Sequence, residues 1–175
     1  MKIFHLIPAL LAFTAVAAET TASEQPAPAA TTQATTPMAQ AIARTTFVTD
    51  VKPSTEAKYY MYVCSASWCG PCRMVMPRLV AEYPNMMANK DVEVILLSCD
   101  RTPEAARNYM EHYNAPFATL MYTSPEAAAL PGYPNDIVGI PHIVVVDAYG
   151  RLLYRGHGLR YKDWKQEIEK AANAQ

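Results

Sequence analysis

Lys58-Tyr59-Tyr60-Met61-Tyr62-Val63-Cys64 runs directly into Ser65-Ala66-Ser67-Trp68-Cys69-Gly70-Pro71-Cys72, and the hydrophobic period changes between the two halves. The first half is a continuous apolar and aromatic run, too short for an isolated helix. It predicts a strand buried on both faces, as in a parallel sheet. Beyond the cysteines, Cys72, Val75, Met76, Leu79, Val80 and Tyr83 recur at helical spacing. A helix from about Cys69 into the mid-80s follows, with Pro77 inside it as a kink. Met76 falls on the apolar stripe of that helix and Met74 falls off it.

Working outward, Asp91–Leu97 reads as a second strand, and Thr102-Pro103-Glu104 as an N-cap, first-turn proline and dipole-favoured acid. The helix they open carries Ala106, Tyr109, Met110 and Tyr113 on one face. Strand–helix–strand–helix in this order means a βαβ crossover, expected to be right-handed. Ile143–Val146 is a third strong strand; Asp147-Ala148-Tyr149-Gly150 turns the chain, and Arg151–Arg155 returns as its antiparallel partner. An amphipathic helix with Trp164, Ile168 and Ala171 closes the chain. The sum is an α/β domain with a mixed central sheet flanked by helices. The segment 112–140, with Pro116, Pro125, Pro131 and Pro134, is long for a connection and is assigned to the rim of the site, where it contributes to partner choice.

A Cys-x-x-Cys pair opening a helix has a direct physical logic. At a helix N-terminus the unpaired backbone N–H groups and the dipole favour a thiolate, which is the nucleophilic form. Cys69 is therefore the attacking sulfur. Cys72, one turn on, is placed to resolve the mixed disulfide that Cys69 makes with a partner. Gly70-Pro71 sets the tight turn and removes one donor. Three other readings stay open: half of a zinc site completed by Cys64, Cys99 or His142; copper handling aided by Met74 and Met76; and a purely structural disulfide. No second paired spacing supports the zinc reading, and closing so short a loop gains little, so no metal and no cofactor is expected.

The chain has 175 residues, four cysteines and a formal net charge of −1, with 51% hydrophobic and 18% charged residues. This excludes a collagenous chain, a polytopic membrane protein and a basic nucleic-acid binder. Fourteen prolines against six glycines is a local skew that betrays a linker. Met1-Lys2, the apolar stretch from Ile3 to Phe13 and the small residues Val16, Ala17 and Ala18 have the pattern of a secretory signal peptide over residues 1–18. An uncleaved anchor is the alternative, but the run falls short of the roughly 20 residues a spanning helix needs. Residues 19–44, rich in Ala, Thr and Pro, lack an apolar period and are expected to be a disordered tether, with a weak helix through Met38–Ala43 as the alternative. Residues 45–175 form the domain, and export places its chemistry in the periplasm or outside the cell, an oxidising compartment.

Trp68-Cys69-Gly70-Pro71-Cys72 matches the thioredoxin active-site motif in full. Pro77 stands where that family has its helix-kinking proline, and Gly139-Ile140-Pro141 resembles its cis-proline loop, with Ile140 before the cis bond. Ser65-Ala66-Ser67-Trp68-Cys69, followed by Arg73, Pro77, Leu79 and Tyr83, is most similar to the tryparedoxin and nucleoredoxin branch. Val145 to Arg151 resembles the hairpin of exported thioredoxin-like reductases. The resemblance covers residues 45–175 and implies a thioredoxin-like fold and thiol–disulfide exchange. Trp68, Gly70, Pro71, Ile140, Pro141 and His142 would form the substrate-binding loops around the catalytic Cys69 and Cys72. Gly-Pro between the cysteines and Ile before the cis-proline go with reducing members of the family. That implies a reductase of protein disulfides, supplied with electrons by a membrane donor of DsbD or CcdA type, and acting as a monomer. Oxidation or isomerisation by the same site, or a non-catalytic binding module on this scaffold, are the rival readings.

The sequence departs from the family in three places. Val63 stands where thioredoxin proper has a buried aspartate, six residues before the first cysteine, so proton transfer must run through water or another group. His142 replaces the more usual threonine after the cis-proline; it either faces the motif and serves the Cys69 thiolate or is a satisfied loop histidine. Cys64 and Cys99 end adjacent strands and are either a second cysteine pair or two buried free thiols.

Overall fold

A computed structural model of the chain describes residues 35–157 and, near the end, residues 166, 168–171 and 173–174. The expected signal peptide and most of the expected linker lie outside the described residues, as does Trp164. Five strands form one sheet in the order β3-β2-β1-β4-β5, with β1 at Tyr59–Ser65, β2 at Val92–Ser98, β3 at Ala118–Met121, β4 at His142–Asp147 and β5 at Leu152–His157. β1 pairs parallel with β2, and β2 with β3; β4 runs antiparallel to both β1 and β5. The mixed sheet, with parallel strands first and the hairpin last, is as the hydrophobic runs predict.

Alternate residues divide between two cores, as the two-residue repeat of a strand requires. Met61, Val63, Val94, Leu96, Ile143 and Val145 face one way, onto Met76, Leu79 and Met86 of α2 (Gly70–Met87) and Tyr109 and Met110 of α3 (Pro103–His112). Ile168, from the closing helical stretch, joins this core. Tyr60, Tyr62, Cys64, Ile95, Leu97, Val144 and Val146 face the other way. Central strands buried on both faces read as near-continuous apolar runs, which is why β1 and, apart from the buried Glu93, β2 stand out in the sequence.

Two expectations are corrected. Pro37–Arg44, assigned to the tether, is a helix, α1, that closes the second core. Thr36 caps it by accepting from the Ala39 amide at 3.2 Å, and Pro37 occupies the first turn, where no amide partner is needed. Its two large apolar side chains, Met38 and Ile42, stand one turn apart and are both buried. Two such anchors in eight residues are too few for a period to declare itself, so composition alone hid the helix. Only the weak-helix alternative anticipated it. The second correction concerns residues 112–140, which do more than decorate a rim. Ala118–Met121 adds the edge strand β3, and Pro125–Ala128 forms a short helix, α4, capped by Ser124. Four residues flanked by prolines carry too little pattern to be seen beforehand.

Pro77 and Pro84 both lie inside α2. Pro77 has no amide to give the Arg73 carbonyl four residues back, and the Tyr113 hydroxyl donates to that carbonyl at 3.3 Å instead. The orphaned acceptor thus ties α2 to the end of α3, just below the cysteines. At the far end of the sheet, Asp147 accepts from the Tyr149 and Arg151 amides and closes the β4–β5 turn. Gly150 in that turn has φ +87°, and a Cβ there would stand 2.7 Å from Pro131 Cβ, so the turn and the Pro131-Gly132 segment approach too closely for a larger residue.

Candidate active site

Cys69 is the N-cap of α2, with extended backbone (φ −85°, ψ 109°), and its Sγ accepts from the Cys72 amide at 3.2 Å. A sulfur in the N-cap position faces the unpaired amides and the positive end of the helix dipole, which favour its thiolate. Gly70 and Pro71 fill the first turn, and Pro71 removes a donor that would otherwise need a partner. Cys69 and Cys72 are joined as a disulfide, their Cα atoms 5.2 Å apart. Both are buried, Cys72 completely and Cys69 to 6% exposure, so Cys69 is the sulfur a partner reaches first. That asymmetry matches an attacking and a resolving cysteine.

The loops around the pair are fixed from below. The Ile140–Pro141 peptide bond is cis, and the Ile140 carbonyl oxygen lies 3.7 Å from Cys69 Sγ. Trp68 is 65% exposed beside the disulfide, and a hollow of about 500 Å³ is lined by Trp68, Cys99 and Arg101. A second hollow, of about 370 Å³, opens between Ser67, Arg73, Tyr109 and Tyr113. Gly70 has nothing within 4 Å of where a Cβ would stand, so the rim above the disulfide is open to a docking chain.

Sequence reasoning missed Asp100. It is buried at the end of β2, accepts from the Ser67 hydroxyl at 2.7 Å and from the Ser67 amide at 3.1 Å, and accepts from the Ser98 hydroxyl at 2.9 Å. The loop that presents Trp68 and Cys69 is thereby tied to the neighbouring strand. An acid directly after an apolar strand was the available signal. Val63, at the position of the family's relay aspartate, is fully buried in the core beneath α2.

Of the two open questions on the remaining residues, the structure answers both in part. Cys64 and Cys99 are free thiols. Cys64 is fully buried in the second core, whereas Cys99 is half-buried and packs both on that core and on the cluster of Ala66, Cys69 and Cys72. Burial, reinforced by Asp100, pushes the Cys99 thiol up to about 11; burial, reinforced by Cys99, pushes Cys64 higher still. His142 is buried, and the hydrogen bond it makes runs to His157, Nδ1 to Nδ1 at 3.3 Å, while its Nε2 has no partner among the described residues. Burial, with help from His157 and Arg155, holds its pKa below the ordinary histidine value. No cluster of three or more metal-ligating side chains occurs among the described residues.

The family model described as thioredoxin-like matches residues 56–152, which hold the strand, the motif, the cis-proline loop and the start of the closing hairpin. The chain belongs to the thioredoxin-like family. Among curated relatives, the probable nucleoredoxin 1 of Arabidopsis thaliana is 30% identical over 51% of this chain and 15% of its own length. The thiol:disulfide interchange protein HelX of Rhodobacter capsulatus is 29% identical over 51% of this chain and 47% of its own. A thiol:disulfide interchange protein of Chlorobium tepidum superposes with a TM-score of 0.53 at 26% identity, covering 65% of this chain and 79% of that one. The chain spans less than half the length of the curated relatives named here.

Proposed function

We propose that this chain is a thiol–disulfide oxidoreductase acting outside the cytoplasm, and that it reduces disulfides in protein substrates through Cys69 and Cys72. The observation that carries the reading is the placement of Cys69 Sγ at the N-cap of α2, with Cys72 bonded to it one turn on. In the reduced protein the Cys69 thiolate attacks a substrate disulfide, one substrate sulfur leaves, and a mixed disulfide forms. Cys72 then attacks Cys69 Sγ, releasing the second substrate sulfur and restoring the internal disulfide. The exposed Trp68, the Ile140 carbonyl and the hollow between Ser67, Arg73, Tyr109 and Tyr113 form the rim on which a substrate chain rests. The signal-like N-terminus supports export, and a reductase in an oxidising compartment needs a membrane donor, of DsbD or CcdA type by resemblance.

Cys72→Ser tests the mechanism. It arrests exchange at the mixed disulfide, so substrates are captured covalently on Cys69 and released by a reductant. A non-catalytic binding module captures nothing in this way. Insulin reduction, with the potential measured against glutathione, tests the direction; a value near that of a strong oxidant, about −120 mV, overturns the reductase reading.

A further inference from the structure

The exchange mechanism uses two of the four cysteines. The other two are not scattered. β1 pairs with β2 so that Cys64 stands opposite Leu97, and Cys99, two residues further along, returns to the same side of the sheet. The Cys99 amide donates to the Ser65 carbonyl at 2.8 Å, which holds Cys99 alongside the end of β1. Cys99 packs on the core that contains Cys64 and also on the cluster that contains the disulfide. It therefore stands between the buried thiol and the active site. On the other flank of Cys64, the antiparallel register sets His142 directly across the ladder, where opposed side chains have Cβ atoms about 5 Å apart. His142 is 3% exposed, and its Nε2 is buried with no partner among the described residues. When its Nδ1–H donates to His157, that Nε2 carries a lone pair.

We propose that Cys64 and Cys99 are a second dithiol, lying under the active site, that exchanges its electron pair with the Cys69–Cys72 disulfide, His142 Nε2 taking the proton that leaves Cys64. The proposal rests on the exchange chemistry assigned to Cys69. Cys99 attacks Cys72 Sγ, the Cys69–Cys72 bond breaks, and Cys69 leaves as the thiolate that the helix N-terminus favours; the Cys99 proton passes to water in the hollow shared with Trp68 and Arg101. Cys64 then attacks Cys99 Sγ, a Cys64–Cys99 bond forms, and Cys72 departs, receiving from His142 the proton that Cys64 gave up. Two electrons have moved from the inner pair to the outer one, and no outside oxidant or reductant is required. The reduced chain then holds two electron pairs and reduces two substrate disulfides before it needs its donor. Until the exchange begins, burial keeps both inner thiols protonated and unreactive, and His142 neutral.

The test counts equivalents. The full chain is reduced completely, freed of reductant and given excess insulin without a donor. Wild type is expected to reduce two disulfides per chain and the Cys64→Ala/Cys99→Ser variant one, its folding checked by circular dichroism. Alkylation and mass mapping of spent wild type are expected to find a Cys64–Cys99 link. One equivalent from both proteins, with Cys64 and Cys99 alkylated as free thiols, overturns the proposal. If wild type reduces no insulin at all, the reductase reading fails separately, and mapping after stoichiometric diamide still decides whether the inner bond forms. His142→Ala should lower the rate of the second equivalent relative to the first by about tenfold or more; an unchanged ratio removes His142 from the exchange.

Discussion

The molecule presents the same side chain in two settings a few residues apart. Cys69 caps a helix just beyond the end of β1 and receives a backbone amide at its sulfur. Cys64 lies within a central strand, fully buried among Tyr62, Ile95 and Val144, with its thiol raised well above the ordinary range. One environment stabilises the anion and the other penalises it, so reactivity follows backbone position and not residue type. The largest effect that can break this contrast is chemical. At pH 7 a thiol near 11, as for Cys99, is about one part in ten thousand thiolate. A sulfur at a helix N-terminus, at or below about 7.5, is at least a quarter thiolate. The higher intrinsic nucleophilicity of the more basic sulfur recovers part of that gap. Iodoacetamide should therefore label Cys69 in the reduced protein about a hundredfold faster than Cys99, and faster still than Cys64. Comparable rates, read by mass spectrometry over a time course, would remove the contrast.

The inner setting depends on α1. Met38 is fully buried over the core that holds Cys64, and the Tyr62 hydroxyl, beside it, donates to the Pro131 carbonyl at 2.7 Å. Met38→Ala should cost about 2–5 kcal/mol in urea unfolding, the usual range for emptying a buried site of that size. Cys64 labelling should rise with it, because local opening of the helix exposes the strand. If stability falls by less than about 0.5 kcal/mol, α1 is not the cover that the burial of Met38 indicates.

That dependence also marks where the sequence stops being readable. The cysteine spacing, the period change at Cys69 and the apolar runs at β1 and, apart from Glu93, β2 each carry many residues of consistent signal, and the architecture and the candidate cysteine pair follow from them. Met38 and Ile42 carry two, inside a segment whose composition argues for disorder. β3 carries four. The placement of Cys99 and Asp100 is legible only once the register of β1 against β2 is known, since a shift of one residue would turn Cys99 to the opposite face. Local chemistry was thus visible in the sequence, and the contacts that join the two cysteine pairs were tertiary.

Asp100 is the covalent neighbour of the inner pair and the hydrogen-bonded partner of the outer loop. Its carboxylate is buried and holds the Ser67 amide, the Ser67 hydroxyl and the Ser98 hydroxyl. Asp100→Ala leaves those donors without a partner and should cost about 1.5–3 kcal/mol, the range for a hydrogen bond to a charged group. Insulin reduction should fall as well, because Cys69 follows Ser67 by two residues and its loop loses the tie to β2. A variant that loses stability while keeping the wild-type rate would show that the helix N-cap alone positions Cys69.

The smallest expected effect concerns proton supply to the inner pair. Burial first, then His157 and Arg155, hold His142 below its ordinary pKa, while Asp136 opposes them; Cys64 faces it across the ladder. Between that lowered value and about 6.5, the unfolded chain binds a proton that the folded chain does not. Stability must therefore fall as the pH drops below about 6.5, with a slope no steeper than the one-proton limit of about 1.4 kcal/mol per pH unit, and must level off once the folded form is protonated too. His142→Gln should remove that slope, and thermal unfolding of both proteins from pH 7.5 to 4.5 reads it as a difference. Protonation also fills the lone pair that would accept from Cys64, so the second reducing equivalent should slow in the same window by more than the first, whose rate follows the Cys69 thiolate. A pH profile in which both equivalents slow in parallel would mean that one sulfur, the outer one, sets the rate of each, and that the inner pair gets its proton acceptor elsewhere.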